Sequence, residues 1–303
     1  MALYTKLNIQ DSINKNPLAI FDIIEKFSIN EKSFSSKEIE AIKANNPKLL
    51  ELPFDVLRDS ISKLLISPKP HIAIKHLITL GITDIILPEI NALANVEQPP
   101  LYHPEGDVLT HTLLLLEHMA YPSILLGWTA LLHDIGKPET QSIDETGRIR
   151  FFSHEVVGAK MAENILKRFL FPESDIEIIT TAIRNHMKMA NVVDMKKQKK
   201  LKLISSPSFA LELELNRLDC IACHSKFDSF LQLIDEYINK EIPKIKPLIT
   251  GKILLENGFS SGPKLGKILS LVYDIQVKNN ITSVADALAI AKEISNKVNL
   301  QAQ

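Results

Sequence analysis

LLGWTALLHDIGKPET, residues 125–140, is the stretch on which the fold turns. Its first eight residues carry no charge, and they end on the adjacent pair His133–Asp134, followed by Gly136 and Pro138. Such a run reads as a core helix that delivers an imidazole and a carboxylate at its C-terminal end. Neighbouring residues point ~100° apart around a helix, so both reach one centre only from a helix end or with long reach. Gly136 would provide room there. A lone His or Asp among Leu, Ile and Ala is costly to bury, and metal coordination is one of few ways to offset the cost.

Moving outward, the same situation recurs. His111 sits in the apolar DVLTHTLLLLEH (107–118), and His154 follows RIRFFS and opens SHEVVGAKMAENILKRF. His186 ends DIEIITTAIRNH (175–186), and Asp219 lies in LELELNRLDCIACHS (211–225). From His111 through His133, His154 and His186 to Asp219 the separations are 22, 21, 32 and 33 residues. Each is about one helix plus a turn, so a bundle would offer one polar side chain per helix to a common centre. His with carboxylate suits a borderline-hard divalent ion such as Mn, Fe, Co, Ni or Zn. A carboxylate can also bridge two ions. Any one of these histidines read alone is more often a hydrogen-bonded core residue, and spacing leaves both readings open. His71, His76, His118 and His224 are expected to be structural or surface residues.

The rest of the chain is periodic in the helical sense. EIEAIKANNPKLLEL (38–52), RDSISKLLISP (58–68) and PHIAIKHLITLGI (70–82) place apolar residues at i, i+3, i+4 and i+7. Strand-like alternation is nearly absent, GRIRFF (147–152) being the best short candidate. The expected fold class is all-α: a helical bundle with an N-terminal helical neck and a C-terminal helical tail. Proline-rich stretches near 97–104 and at IPKIKP (242–247) divide it into 1–98, 99–243 and 244–303. Helices from these parts should pack together, because about 55 residues bury little core of their own.

Composition narrows the functional classes. The 303 residues carry 35 basic and 36 acidic groups, a net charge of -1 that supplies no global field for gripping nucleic acid. Two cysteines exclude a disulfide scaffold and suit a reducing cytoplasm, the expected location. No stretch reaches the ~20 apolar residues of a membrane helix, and the first residues do not read as a secretory signal.

HPEGDVLTHT (103–112), LLHDIGKPET (131–140), FFSHEVVGAKMAENIL (151–166), IRNHMKM (183–189) and RLDCIACHS (217–225) together resemble the HD-type metal-dependent phosphohydrolase domain. They look closest to the HD domain behind the catalytic head of one branch of bacterial tRNA nucleotidyltransferases, the CCA-adding and poly(A) polymerase relatives. Residues 41–90 are similar to that family's neck and RNA-binding helices, and 247–276 to its C-terminal body; the likeness spans roughly 17–295. It implies a metal set of His111, His133, Asp134 and Asp219, with His154 and His186 as the extra histidines of the two-metal subtype. Asp134 would then be the bridge. The implied cofactor is one or two divalent ions (Mn, Fe, Co, Ni, Mg or Zn), acting through a bound water whose pKa falls towards ~7. Asp134 and Lys137 become the candidate catalytic residues. Lys137 is either a clamp for a phosphate oxygen or a solvated loop lysine. His103 and Glu105 either orient the ligands from behind or contact substrate, or else close an unused rim.

Two departures bear on function. The family's nucleotide-adding head, with its Gly-Ser and paired aspartates, should precede the neck, and no D-x-D occurs in this sequence. Where the neck carries a Glu-Arg pair and a later Glu, Asp55, Val56 and Ser60 align. Nucleotide addition by these residues alone is therefore not expected. Cys220 and Cys223 form C-x-x-C without a second pair and read as buried core thiols. KMANVVDMKKQKKLK (188–202) reads as a solvated basic loop that could attract a phosphate-rich ligand, and GPKLG (262–266) as a turn between helices or a phosphate contact.

The expected activity is hydrolysis of phosphomonoesters or 2′,3′-cyclic phosphates on nucleotides or RNA ends. The alternatives are a non-catalytic tRNA-binding body of a split nucleotidyltransferase and a di-iron oxygenase using the same ligands. Expected partners are a nucleotide or RNA phosphate ester and tRNA, with no membrane.

Overall fold

The computed structural model describes residues 9–189, 192, 195–223, 227, 230–231, 233–235, 246–279 and 281–300. His224 and positions 242–245 of the proline-rich boundary lie outside them. The described chain is helical apart from one two-stranded antiparallel sheet, Gln141–Ile143 (β1) against Ile149–Phe151 (β2). It divides into two compact units, 1–190 with 210–230 and 191–209 with 231–303.

In the first unit, α1 (Ile9–Lys15), α2 (Ala19–Ile29), α3 (Ser36–Lys43), α4 (Phe54–Leu65) and α5 (Pro70–Thr79) precede two single turns, α6 (Thr83–Ile86) and α7 (Pro88–Asn91). A 3-10 turn, Asn46–Glu51, follows α3. Next come α8 (Val108–Glu117), α9 (Ile124–Leu132), the short α10 (Lys137–Thr140), the hairpin, α11 (His154–Arg168), α12 (Glu173–Met189) and, after a stretch assigned to the second unit, α14 (Phe209–Cys223). The neck helices and the histidine-bearing helices share one apolar cluster, running from Ile9 to Ala222.

Helix starts follow their capping residues. Asp107 accepts from Thr110 N–H at 2.8 Å at the head of α8, and Ser123 accepts from Leu126 N–H at 3.2 Å at the head of α9. Each such cap contributes ~1 kcal/mol. Ser35 and Glu38 close a reciprocal capping box on α3. From Leu126 to Leu132 every residue of α9 is buried, so this helix is apolar all round and sits at the centre. Trp128 is fully buried, and its indole N–H donates to Ser62 Oγ at 2.9 Å, tying α9 to α4.

The hairpin is organised by Asp144. Its carboxylate accepts from Thr146 and Arg148 backbone N–H and from Arg150 Nε, while Gly147 takes φ 79° at the tip. The strand expected at 147–152 thus forms at 149–151 and ends one turn before His154.

The second unit contains α13 (Lys197–Ile204), α15 (Gly251–Glu256), α16 (Pro263–Asn279) and α17 (Val284–Leu300). Its core is Ile249, Leu254, Ile268, Val272, Ala287 and Ala291. Part of the 188–202 run departs from the solvated-loop expectation. Residues 197–204 are helical, because Leu201, Leu203 and Ile204 supply a buried face, and Lys202 pairs with Asp274. Gly262, at φ 135°, makes the turn and Pro263 begins α16, so GPKLG is a turn running into a helix. No helix among the described residues is long and apolar enough to cross a membrane.

Candidate metal centre

Four helices and one loop deliver the side chains singled out from sequence. His111 lies in the middle of α8, His133 and Asp134 follow the last turn of α9, His154 is the first residue of α11, His186 lies in the last turn of α12, and Asp219 is in α14. His111, His133, Asp134, His154 and His186 are all buried; Asp219 keeps its side chain 34% exposed.

Each imidazole is held the same way. His133 Nδ1 bonds the carbonyl of Ala130 at 2.8 Å, His154 Nδ1 that of Phe151 at 2.9 Å, and His186 Nδ1 that of Ile183 at 2.6 Å. A carbonyl only accepts, so in all three Nδ1 carries the proton. His111 Nδ1 meets the carboxylate of Glu105 at 2.8 Å instead. All four Nε2 atoms therefore turn inward, with His133 and His111 Nε2 3.3 Å apart and His154 and His186 Nε2 3.2 Å apart. Facing lone pairs at that distance repel unless a proton or a cation lies between them.

Asp134 stands at the junction. Its Oδ2 lies 3.1 Å from His133 Nε2, 3.7 Å from His111 Nε2 and 2.7 Å from Lys137 Nζ. Its Oδ1 lies 3.4 Å from His154 Nε2 and 3.8 Å from His186 Nε2, and takes no hydrogen bond among the described residues. A buried carboxylate oxygen left without a partner normally costs stability, so this atom is placed for a ligand. Two donor groups result, His111–His133–Asp219 and Asp134–His154–His186, each with its atoms within 4.8 Å of one another. The donor chemistry fits divalent ions, and the backbone carbonyls and Glu105 orient the imidazoles as metal sites require.

Electrostatics follow from this crowding. Burial opposes the His111 imidazolium, but Asp219 and Glu105 outweigh it and raise the pKa to about 9. Burial drives His186 down to about 4. Burial would raise Asp134, yet His133 and Lys137 hold its carboxyl well below the usual range. Asp219 is likewise held low against burial, chiefly by His111.

Lys137 is not a solvated loop residue. It is buried as the first residue of α10, and its ammonium donates to Asp134 and, at 2.6 Å, to Gln98 Oε1. Gln98, in the proline-rich stretch, was not foreseen, because nothing local in the sequence marks it. Glu105 Oε1 accepts from both His103 and His111 at 2.8 Å, so Glu105 and His103 lie against the outer side of His111. Cys223 is not a simple core thiol: its Sγ is 3.4 Å from His103 Nδ1 and 3.7 Å from Asp219 Oδ1. The signal available was its position one helical turn after Asp219. Gly136 proves to serve helix approach. A Cβ there would lie 2.3 Å from the carbonyl oxygen of His154 and 2.5 Å from Gly158 N, so only glycine lets α11 bring His154 to Asp134.

The match to known proteins agrees with this architecture. Residues 106–206 match the HD domain family, and residues 27–93 match the probable RNA and SrmB-binding site of polymerase A. The chain thus carries an HD domain, preceded by a segment that matches the polymerase A model, and it is similar to tRNA nucleotidyltransferases over much of its length. Its relatives include the CC-adding tRNA nucleotidyltransferase of Thermus thermophilus, 26% identical over 77% of this chain and 55% of that protein. The A-adding tRNA nucleotidyltransferase of Deinococcus radiodurans is 24% identical over 93% of this chain and 69% of that protein. The multifunctional CCA protein of Pseudomonas fluorescens is 32% identical over 48% of this chain and 36% of that protein. The chain spans about a third to two thirds of the length of these relatives.

Proposed function

We propose that the chain is a metal-dependent phosphohydrolase that cleaves phosphomonoesters or 2′,3′-cyclic phosphates of nucleotides or RNA ends. The observation that carries this reading is the convergence of four Nδ1-anchored imidazoles on the two oxygens of Asp134. His111, His133, Asp134 and Asp219 would hold one divalent ion, and Asp134, His154 and His186 a second. Such ions lower the pKa of water towards ~7 and neutralise charge on a phosphoryl group. Among Mn, Fe, Co, Ni, Mg and Zn, the imidazole-rich set favours the transition metals over Mg.

The chain's own residues do the rest. Asp134, ionised and buried, offers one oxygen to each group of histidines. Lys137 spends two of its three ammonium protons on Asp134 and Gln98. It holds the carboxylate in place and keeps one proton for a phosphate oxygen. Glu105 holds the inward tautomer of His111, and His103 holds Glu105. Asp219 sits at the exposed edge, where an ester enters. In segments, 1–98 is the RNA-binding neck, 99–243 the HD domain and 244–303 the tail.

The test is metal analysis of the purified chain followed by a nucleotide, phosphomonoester and cyclic-phosphate screen with each metal. Ester hydrolysis lost together with metal in His133→Ala supports the reading. No turnover of any ester by the metal-loaded chain would abandon it.

A second reading is favoured by the match at 27–93 and by the named activities of the relatives: a tRNA-binding body without hydrolytic action. It requires salt-sensitive tRNA binding that survives loss of the metal ligands.

A further inference from the structure

Outside the two donor groups around Asp134, a third cluster lies at the rim. His103 and Glu105 come from the loop before α8, and Cys223 from the last turn of α14; with His111 their donor atoms all fall within 4.8 Å of one another. We propose that His103, Glu105 and Cys223 form a separate site for a borderline-soft divalent ion of the zinc class, adjoining the Asp134 centre.

Three observations support it. The first is donor chemistry: thiolate, imidazole and carboxylate together select zinc-like ions over magnesium or calcium. The second is spacing. Metal–nitrogen and metal–sulfur bonds of about 2.0 and 2.3 Å around a tetrahedral ion put N and S about 3.5 Å apart. His103 Nδ1 and Cys223 Sγ are 3.4 Å apart. The third is an orphan atom. The Glu105 side chain is only 5% exposed, its Oε1 is occupied by His103 and His111, and its Oε2 is buried without a hydrogen-bond partner among the described residues. Oε2 is free to bind an ion while Oε1 continues to accept from His111. When an ion binds, the Cys223 thiol gives its proton to solvent, the proton of the neutral His103 ring passes from Nδ1 to Nε2, and the three protein donors leave a fourth position open. His103, 18% exposed at its side chain, marks the entrance.

Cobalt(II) reports the site directly, because a thiolate ligand adds an intense charge-transfer absorption in the near ultraviolet that His and carboxylate ligands lack. The full-length chain, kept reduced, is titrated with cobalt chloride. Wild type and Cys220→Ser should develop the band, and Cys223→Ser should lose it while still binding cobalt through the Asp134 centre. Zinc should bleach the band. His133→Ala, which weakens the Asp134 centre, should keep the band, so failure of the phosphohydrolase reading would not remove it. Absence of the band in wild type overturns the site, as does its survival in Cys223→Ser. Its disappearance in His133→Ala would show Cys223 to be a ligand of the inner centre, which also overturns a separate site.

Discussion

The His111–His133–Asp219 side of the centre and the His154–His186 side share Asp134 but differ in charge. On the first side, three carboxylates surround His111: Asp219 and Asp134 in front and Glu105 behind. They raise its pKa to about 9. On the second side, two imidazoles share one oxygen of Asp134, and burial leaves His186 at about 4. Metal affinity at such sites grows with ligand charge and falls with desolvation. The first side should therefore bind an ion more tightly, and the second should depend on Asp134 alone to offset burial. All four histidines are buried, whereas Asp219 on the first side keeps part of its side chain exposed.

The hardest blow to that comparison is Asp134→Asn. It removes the shared anion, so both ions should be lost, with activity falling more than the ~100-fold typical of losing an outer orienting group. It also leaves Lys137 buried beside a neutral amide, at a cost of about 3–5 kcal/mol. Metal content and thermal unfolding read both effects, and a variant that retained two ions would show that the sides do not share a ligand. Gly136→Ala comes next. The added carbon meets backbone of α11, which must retreat, costing about 1–3 kcal/mol. The second side should lose its ion first, because His154 moves with α11; unchanged stability and metal content would mean the close approach does not matter.

One-sided substitutions separate the halves. His186→Ala should leave one bound ion, on the charged side, whereas Asp219→Asn should weaken that side by more than the ~10- to 100-fold lost with an outer orienting group and expose the asymmetry as a reversal in filling order. Equal losses from both variants, in a calorimetric titration, would make the sides equivalent. The smallest effect concerns pH. An ion must displace the proton that His111 holds with a pKa of about 9, so affinity on the first side should climb through neutral pH by up to about tenfold per unit. His186, at about 4, is already proton-free, and the second side should gain less although His154 is also raised. Identical slopes at the two sites would remove the electrostatic distinction.

Much of this centre was legible in the chain. Helical period located the elements, and the His and Asp positions at helix-length intervals pointed to one per helix. The resemblance singles out six of them, and the structure brings those six together. The roles around them were less legible. Lys137 looked equally like a clamp and a surface residue, because its partner Gln98 lies 39 positions away and comes from a segment with no helical pattern. Cys223 looked like a core thiol, because His103 reaches it from 120 positions upstream. Gly136 suggested space for its neighbours, yet what fills that space is the backbone of α11. The basic run at 188–202 reads as solvated because six of its seven charged residues are lysines, but Leu201 within it is buried on α13.

The amino-acid order on its own determined the helical class and the residue types available to a metal, since period and side-chain chemistry are local properties. It could not determine which ring nitrogen faces inward, how Asp134 divides its two oxygens, or that Lys137 is committed to it. Those depend on carbonyls, carboxylates and an amide carried in from separate helices. At hydrogen-bond distances, only the packing of whole elements brings such groups together.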